Sequence, residues 1–218
     1  MIWRALGLSL RRRFLGRGKP KAAAAWDSQY RSGSWDRLAA PRELPRYAVI
    51  AALVARFAPP EARVLDIGCG LGILGEHLAA LRRSRRYVGL DLSGEAIGRA
   101  EAERGQAGEF RVADAEQPCL DPSESFHVLV FNEVLNYFDD PAQVVQRWLS
   151  HLAPGGFIVV SLWNPVRHRA MDRRLRAVLR RTLTVTIGVD RGAAWRITVE
   201  VPVSRARERV QGYGAASR

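Results

Sequence analysis

The stretch RVLDIGCGLG, residues 63–72, settles the architecture of this 218-residue chain. Val64, Leu65 and Ile67 make a short apolar run with β-branched members, the composition of a parallel strand buried on both faces. Gly68, Gly70 and Gly72 follow, and an apolar pattern of helical period begins at Ile73. Glycine takes positive φ without penalty and lets another group approach the main chain closely. A strand that runs through glycines into a helix makes a corner where a ligand sits beyond the strand's carboxyl end, beside the helix N-terminus. Asp66, two residues before the first glycine, reaches the rim of that corner.

Two nucleotide readings compete here. Residues 70–75, GLGILG, fit the dinucleotide pattern GxGxxG, and Asp91 stands where a ribose-binding acid is expected. Against that reading, the turn already begins at Gly68, and a carboxylate at Asp66 would repel a pyrophosphate. A ligand with a cationic sulfonium and an amino group, as in S-adenosyl-L-methionine, tolerates an acidic rim. The bland alternative is a tight glycine turn with no ligand.

Length predicts one domain with a substantial core. The net charge of +12 is unevenly placed. Residues 1–21 contribute +7 and residues 167–181 contribute +6, which leaves the rest of the chain at −1. Basicity confined to two segments argues against a nucleic-acid protein, whose positive surface surrounds its site. Two cysteines, Cys69 and Cys119, form no disulfide framework, and the expectation is a reducing cytoplasm. Cys69 reads as a small buried side chain rather than a reactive thiol. The apolar stretch Ile2–Leu10 precedes its arginines, the reverse of a secretory signal, and no run is long enough to span a membrane. A basic tail over residues 1–25 is expected, either disordered or in weak contact with anionic lipid. Four scattered histidines give no metal-ligand spacing.

Along the chain, WDSQYRSGSWDR (26–37) either packs on a domain edge or forms a lid with Tyr30 and Trp35 over the ligand. A helix is expected from Glu43 to Phe57, with Tyr47, Ile50, Leu53, Val54 and Phe57 on one face. Strands are expected at 86–90, 109–113, 127–132 and 157–162, with intervening helices, one capped by Ser93 and one over 142–152. Strands alternating with helices imply parallel β-α units. Their carboxyl ends carry Asp66, Asp91, Asp114, and Asn132 with Glu133, facing the crevice where open α/β sheets bind ligands. Each alone also reads as a turn or cap residue. Residues 166–181 read as a basic helix with a solvated face. The runs 182–189 and 194–203, joined by Asp190-Arg191-Gly192, read as an antiparallel hairpin. The chain from about residue 204 reads as a frayed tail.

With these residues placed, the chain resembles the class I S-adenosylmethionine-dependent methyltransferases over about residues 26–203. The carriers are VLDIGCGLG (64–72), YVGLDLS (87–93), FRVADAE (110–116), FHVLVFNEVLNYFDD (126–140) and LAPGGFIVVS (152–161). The resemblance implies an α/β, Rossmann-like, doubly wound and mostly parallel seven-stranded sheet with an antiparallel terminal strand, and N-terminal lid elements over 26–60. That terminal strand sets NAD aside. The segments NEVLNYFDDP and WDSQYRSGSWD are most similar to bacterial small-molecule methyltransferases, including nodulation-type N-methyltransferases.

The resemblance also implies a site. Asp66 with Gly68, Cys69, Gly70 and Gly72 would hold the methionine part of the cofactor. Asp91 would take the ribose hydroxyls, Leu92 would pack on the adenine, and Asp114 with Ala115 would face its amine. Asn132 would border the sulfonium and the acceptor, and Tyr30 and Gly33 would lie in the lid. Asn136 stands where relatives often carry an aromatic residue. The implied chemistry is methyl transfer to nitrogen or oxygen of a small-molecule acceptor. A hydroxyl acceptor would profit from a general base, for which Glu133 comes first, ahead of His127 and His168. A nucleic-acid methyltransferase and a non-catalytic cofactor-binding protein are the rivals. The absence of an Asp/Asn-Pro-Pro-aromatic signature after residues 126–132 disfavours the former.

Overall fold

The computed structural model describes residues 22–81, 84–117, 120–163, 168–189 and 193–205. The basic segment 1–21, Cys119, residues 166–167, the turn 190–192 and the stretch from 206 lie outside the described residues. In chain order the elements are α1 (Ala23–Arg31), α2 (Leu44–Phe57), β1 (Ala62–Ile67), α3 (Ile73–Ala80), β2 (Ser84–Asp91), α4 (Gly94–Arg104) and β3 (Glu109–Val112). They continue with β4 (Phe126–Asn132), α5 (Pro141–Trp148), β5 (Leu152–Trp163), α6 (Arg169–Leu175), β6 (Leu179–Val189) and β7 (Ala193–Pro202).

The strands form one seven-stranded sheet in the order β3-β2-β1-β4-β5-β7-β6. Pairings from β3 through β5 are parallel; β7 runs antiparallel to β5, and β6 antiparallel to β7. Strand order reverses between β1 and β4, the point at which such sheets open a crevice. The apolar runs of the strands are continuous because both faces are covered. Val64, Val128, Val130 and Val159 meet Ile50, Val54, Leu74 and Leu78 on one face. Leu65, Ile67, Leu129, Phe131 and Ile158 meet Val145 and Trp148 on the other.

Helix starts obey the residues at them. Ser93 Oγ accepts from Ala96 N at 3.1 Å, the expected N-cap of α4. Asp140 Oδ1 caps α5 by accepting from the N–H groups of Ala142 and Gln143, with Pro141 in the first turn.

Several boundaries differ from expectation. The helix expected over 166–181 is confined to α6, and β6 starts at Leu179, because residues 179–189 pair with β7 in a continuous ladder. Charge drives the same outcome: Arg176 and Arg181 both donate to the buried Glu200 of β7, which draws the arginine run onto the sheet. The helix expected over 142–152 ends at Trp148, and after a short 3-10 turn β5 begins at Leu152, five residues before expectation. Pro154-Gly155-Gly156 is absorbed in β5 as a bulge, with Gly155 at φ 74° and the register with β4 shifting between Phe126 and Val128. Phe57, expected on the buried face of α2, is 50% exposed, and Arg46 lies on that face instead.

The glycine turn is as strict as its sequence suggests. Gly68, Gly70 and Gly72 have φ of 77°, 56° and 72°. A Cβ on Gly72 would lie 2.5 Å from the Phe110 ring, and one on Gly68 would lie 2.4 Å from a Val134 methyl. At these two positions the close approach is made by the protein's own side chains. Gly72→Ala combines a left-handed backbone with a clash, and its expected cost is about 2–4 kcal/mol, measured by urea unfolding. A loss below about 0.5 kcal/mol would contradict this packing.

Candidate active site

The polar residues at the strand ends converge at the switch point. β1 and β2 are stitched together there: Gly68 N and Cys69 N both donate to Leu90 O, at 2.7 and 2.9 Å. Gly70 N donates to Asp91 Oδ2 at 2.9 Å, and Ser93 N donates to Asp91 Oδ1 at 2.9 Å. Each Asp91 oxygen keeps a further lone pair. Burial raises the Asp91 carboxyl, while the Ser93 and Gly70 N–H groups oppose the shift.

Asp66 is 1% exposed. The Tyr87 hydroxyl donates to its Oδ2 at 2.7 Å, and its Oδ1 is buried without a hydrogen-bond partner. Burial lifts this carboxyl from 3.8 to about 7, against the Tyr87 hydrogen bond and the nearby Arg46 charge. Arg46, also 1% exposed, comes from the first turn of α2. Its Nη1 donates to Asn132 Oδ1 at 2.6 Å and its Nη2 to Glu43 Oε2 at 3.3 Å, whereas its Nε is buried without a partner. Its guanidinium stacks 4.4 Å from the Tyr47 ring centroid and 5.8 Å from that of Trp195.

Glu133 follows Asn132 with φ 61°, the one positive value for a non-glycine among the described residues. That conformation turns its side chain back onto β5. Oε1 accepts from Ser161 Oγ at 2.6 Å, and Oε2 accepts from Trp163 N at 2.9 Å. Burial raises this carboxyl, opposed by Arg46, Ser161 and the Trp163 N–H. Of the other two base candidates, His127 Nδ1 accepts from Arg63 N at 3.0 Å at the opposite end of β4, a structural contact, and His168 precedes α6.

At the outer strands, Asp114 Oδ1 accepts from Glu116 N at 2.8 Å in a tight turn, and Ala115 O accepts from Trp148 Nε1 at 2.8 Å. Leu92 is half-buried beside Asp91. Cys69 packs its sulfur against Gly89, and burial pushes its thiol well up, which fits a small core side chain.

The segment 22–40 covers this edge. Tyr30 and Trp35 are buried, and a Cβ on Gly70 would lie 2.9 Å from the Tyr30 hydroxyl. Gly33 ends α1 at φ 72°, its N–H donating to Tyr30 O. Asp27 Oδ1 accepts from Ser93 Oγ at 2.6 Å and from Glu95 N at 3.1 Å, tying α1 to the start of α4. The Trp26 ring stands edge-on to Tyr137 at 4.9 Å, tying α1 to the loop after β4. Both pieces of the aromatic segment therefore pack on the domain and lie over the glycine turn.

Arg46, Tyr87, Ser161 and Asp27 belong to this edge without the sequence having assigned any of them a role, although the last three lie within the stretches 87–93, 152–161 and 26–37. Arg46 had one signal: it stands four residues before Ile50, on the buried stripe of α2. Tyr87 had another, as a phenol in the otherwise aliphatic run Tyr87–Leu90.

Comparison with known proteins agrees with this geometry. A family model described as a methyltransferase domain matches residues 42–194. The chain therefore belongs to the methyltransferase-domain family, and its class is that of the class I S-adenosylmethionine-dependent methyltransferases. Among curated proteins, a ubiquinone biosynthesis O-methyltransferase of Paraburkholderia phymatum is 38% identical over 105 residues, 47% of this chain and 44% of the relative. One of Xanthomonas axonopodis pv. citri is 33% identical over 113 residues, 50% of this chain and 46% of the relative. This chain thus spans less than half the length of these relatives. Among solved structures, the N-methyltransferase NodS from Bradyrhizobium japonicum, in complex with S-adenosyl-L-homocysteine, shares the fold with TM-score 0.60 and 22% identity. That match covers 88% of this chain and 96% of NodS. A TehB-like methyltransferase from Corynebacterium glutamicum has TM-score 0.62 at 21% identity, covering 82% and 99%.

The Asp66 carboxyl sets a pH dependence of stability. Its unfolded form ionises near 3.8 and its folded form near 7, so the folded state holds the extra proton between those values. Stability therefore falls as pH rises through that window, by at most about 4 kcal/mol from this group. Thermal unfolding of Asp66→Asn at pH 4.5 and 7.5 should show a flatter loss than the native chain; equal slopes would contradict the assignment.

Proposed function

We propose that this protein transfers a methyl group from S-adenosylmethionine to oxygen or nitrogen of a small-molecule acceptor. The observation that carries the reading is a pair of buried orphans at the switch point, Asp66 Oδ1 and Arg46 Nε. A carboxylate oxygen and a guanidinium N–H are the complements of an α-amino acid's ammonium and carboxylate. The glycine turn beside them and Asp91 on the next strand end complete a site of the right chemical order for an aminoacyl-sulfonium nucleoside.

The cofactor supplies a methyl group on a sulfonium, a leaving group that needs no further activation. The chain's work is then binding and alignment. Asp66 and Arg46 would hold the amino-acid end. Asp91, already fixed by Gly70 and Ser93, would accept from the ribose hydroxyls. Leu92, Asp114 and Ala115 would border the adenine, and Tyr30 with the Gly33 turn would close over the glycines and exclude water. Glu133 has both oxygens committed to β5, which supports a positioning role for it more than that of a general base.

Among phosphate-binding alternatives, the basic segment after β5 carries less free charge than its sequence suggests. Arg176, Arg181 and Arg196 are paired with Asp172 and Glu200. A small-molecule acceptor is also the reading that the names of the curated relatives support.

Calorimetry should find S-adenosylmethionine binding in the micromolar range to the native chain and at least about tenfold weaker binding to Asp91→Ala, because a charge-assisted hydrogen-bond pair is lost. A folded native chain that binds no S-adenosylmethionine would contradict the proposal.

A further inference from the structure

At the carboxyl end of β4, the orientation of one side-chain amide is decided by its neighbours. Arg46 is a pure donor, so the atom of Asn132 that it meets at 2.6 Å is the carbonyl oxygen. Ser161 Oγ donates to the same oxygen at 2.9 Å and shares its single proton with Glu133 Oε1. The two lone pairs of Asn132 Oδ1 are thereby used up. A flip of the amide would set an N–H₂ against the guanidinium, so the usual ambiguity of an asparagine does not arise here.

The free end of Asn132 is consequently its N–H₂, two donors and no acceptor. No protein group among the described residues takes them, and the residue is half-buried at the rim. The acidic side chains beside it are engaged elsewhere: Glu43 with Arg46 and Arg42, and Glu133 with Ser161 and Trp163. A protonated amine arriving there would meet donors facing donors. An acceptor presenting an electron-rich oxygen would find them complementary.

We propose that Asn132 is a specificity-determining residue, its amide locked by Arg46 and Ser161 so that it offers only N–H donors and selects an oxygen nucleophile over an amine. The inference rests on the methyl-transfer reading of the site. In the step it implies, the acceptor hydroxyl gives its proton to solvent. The oxygen lone pair forms the new O–CH₃ bond, and the electrons of the broken S–CH₃ bond pass to sulfur, leaving S-adenosylhomocysteine. Asn132 steadies the oxyanion before transfer, and discrimination arises because an oxygen keeps lone pairs for the Asn132 N–H₂ during the attack, whereas a neutral amine spends its single lone pair on the methyl and leaves those donors unpaired.

The test is Asn132→Asp, which keeps oxygen acceptors for Arg46 and Ser161 and replaces only the donor end. Binding of catechol and of benzylamine is measured by calorimetry with S-adenosylhomocysteine present. Methyl transfer from labelled S-adenosylmethionine to a mixed panel of phenols and primary amines is measured for the native chain alone. The native chain should favour catechol and methylate oxygen, and the variant should shift the catechol-to-benzylamine ratio toward the amine by at least about tenfold. An unchanged ratio in a folded variant overturns the proposal, as does methylation of amines by the native chain. So does a native chain that binds S-adenosylmethionine but takes neither class of probe. Loss of cofactor affinity in the variant would move Asn132 to cofactor binding and also overturns it. Failure of the native chain to bind S-adenosylmethionine would instead sink the methyl-transfer reading.

Discussion

The site depends on the stitching of β1 to β2 beyond their last paired residues. One carbonyl, Leu90 O, receives two N–H groups from the glycine turn, and the Asp91 carboxylate receives a third. A chain can present three successive N–H groups to a neighbouring strand end only if it bends sharply, which is why Gly68 and Gly70 sit at positive φ. The turn then hands the chain to α3 at Gly72, whose missing Cβ lets Phe110 close in. One constraint thus shapes the loop, orients Asp91 and brings β3 against the helix.

Behind this turn lies a layer of buried polar groups that a simple apolar core would not need. Asp66, Arg46, Glu43 and Ser161 are each below 5% exposed; Arg46 hydrogen-bonds to the half-buried Asn132, and Ser161 to Asn132 and the half-buried Glu133. Burying charges costs more than pairing them returns unless each partner is satisfied. Here most are satisfied; among the layer's fully buried side-chain atoms the exceptions are Asp66 Oδ1 and Arg46 Nε, and the half-buried Asn132 keeps a free N–H₂ at the rim. Strain follows the same pattern. Glu133 holds a left-handed backbone that bulky residues avoid, and the reward is a carboxylate clasping β5 at two points. Stability has been spent at the carboxyl edge of the sheet, where function needs fixed polar groups.

Much of this was legible in the sequence because its signals are local. The run Val64–Ile67 followed by three glycines, and a polar residue closing each of four strands, depend on neighbours within a few positions. What escaped depends on partners far along the chain. Arg46 acquires its role from Asn132, 86 residues away, and its one local signal, a place on the buried stripe of α2, does not name that partner. The arginine run before β6 has helical composition, yet Glu200 and the β7 ladder recruit its last three residues, Leu179–Arg181, into the sheet. Pro154-Gly155-Gly156 carries a turn signal that tertiary pairing converts into a bulge. Glu133 was legible as an acid at a strand end, but its direction depends on a φ value that sequence does not announce.

The central claim is that the buried pair Asp66 and Arg46 recognises the amino-acid end of S-adenosylmethionine. Its most direct test is the affinity of the native chain for 5′-methylthioadenosine, which keeps the nucleoside and sulfur but lacks that end, against its affinity for S-adenosylhomocysteine. Two buried charged hydrogen-bond partners predict a loss of at least about a hundredfold for methylthioadenosine. Equal affinity for the two ligands would mean that the orphaned atoms serve something else, and the claim would fall.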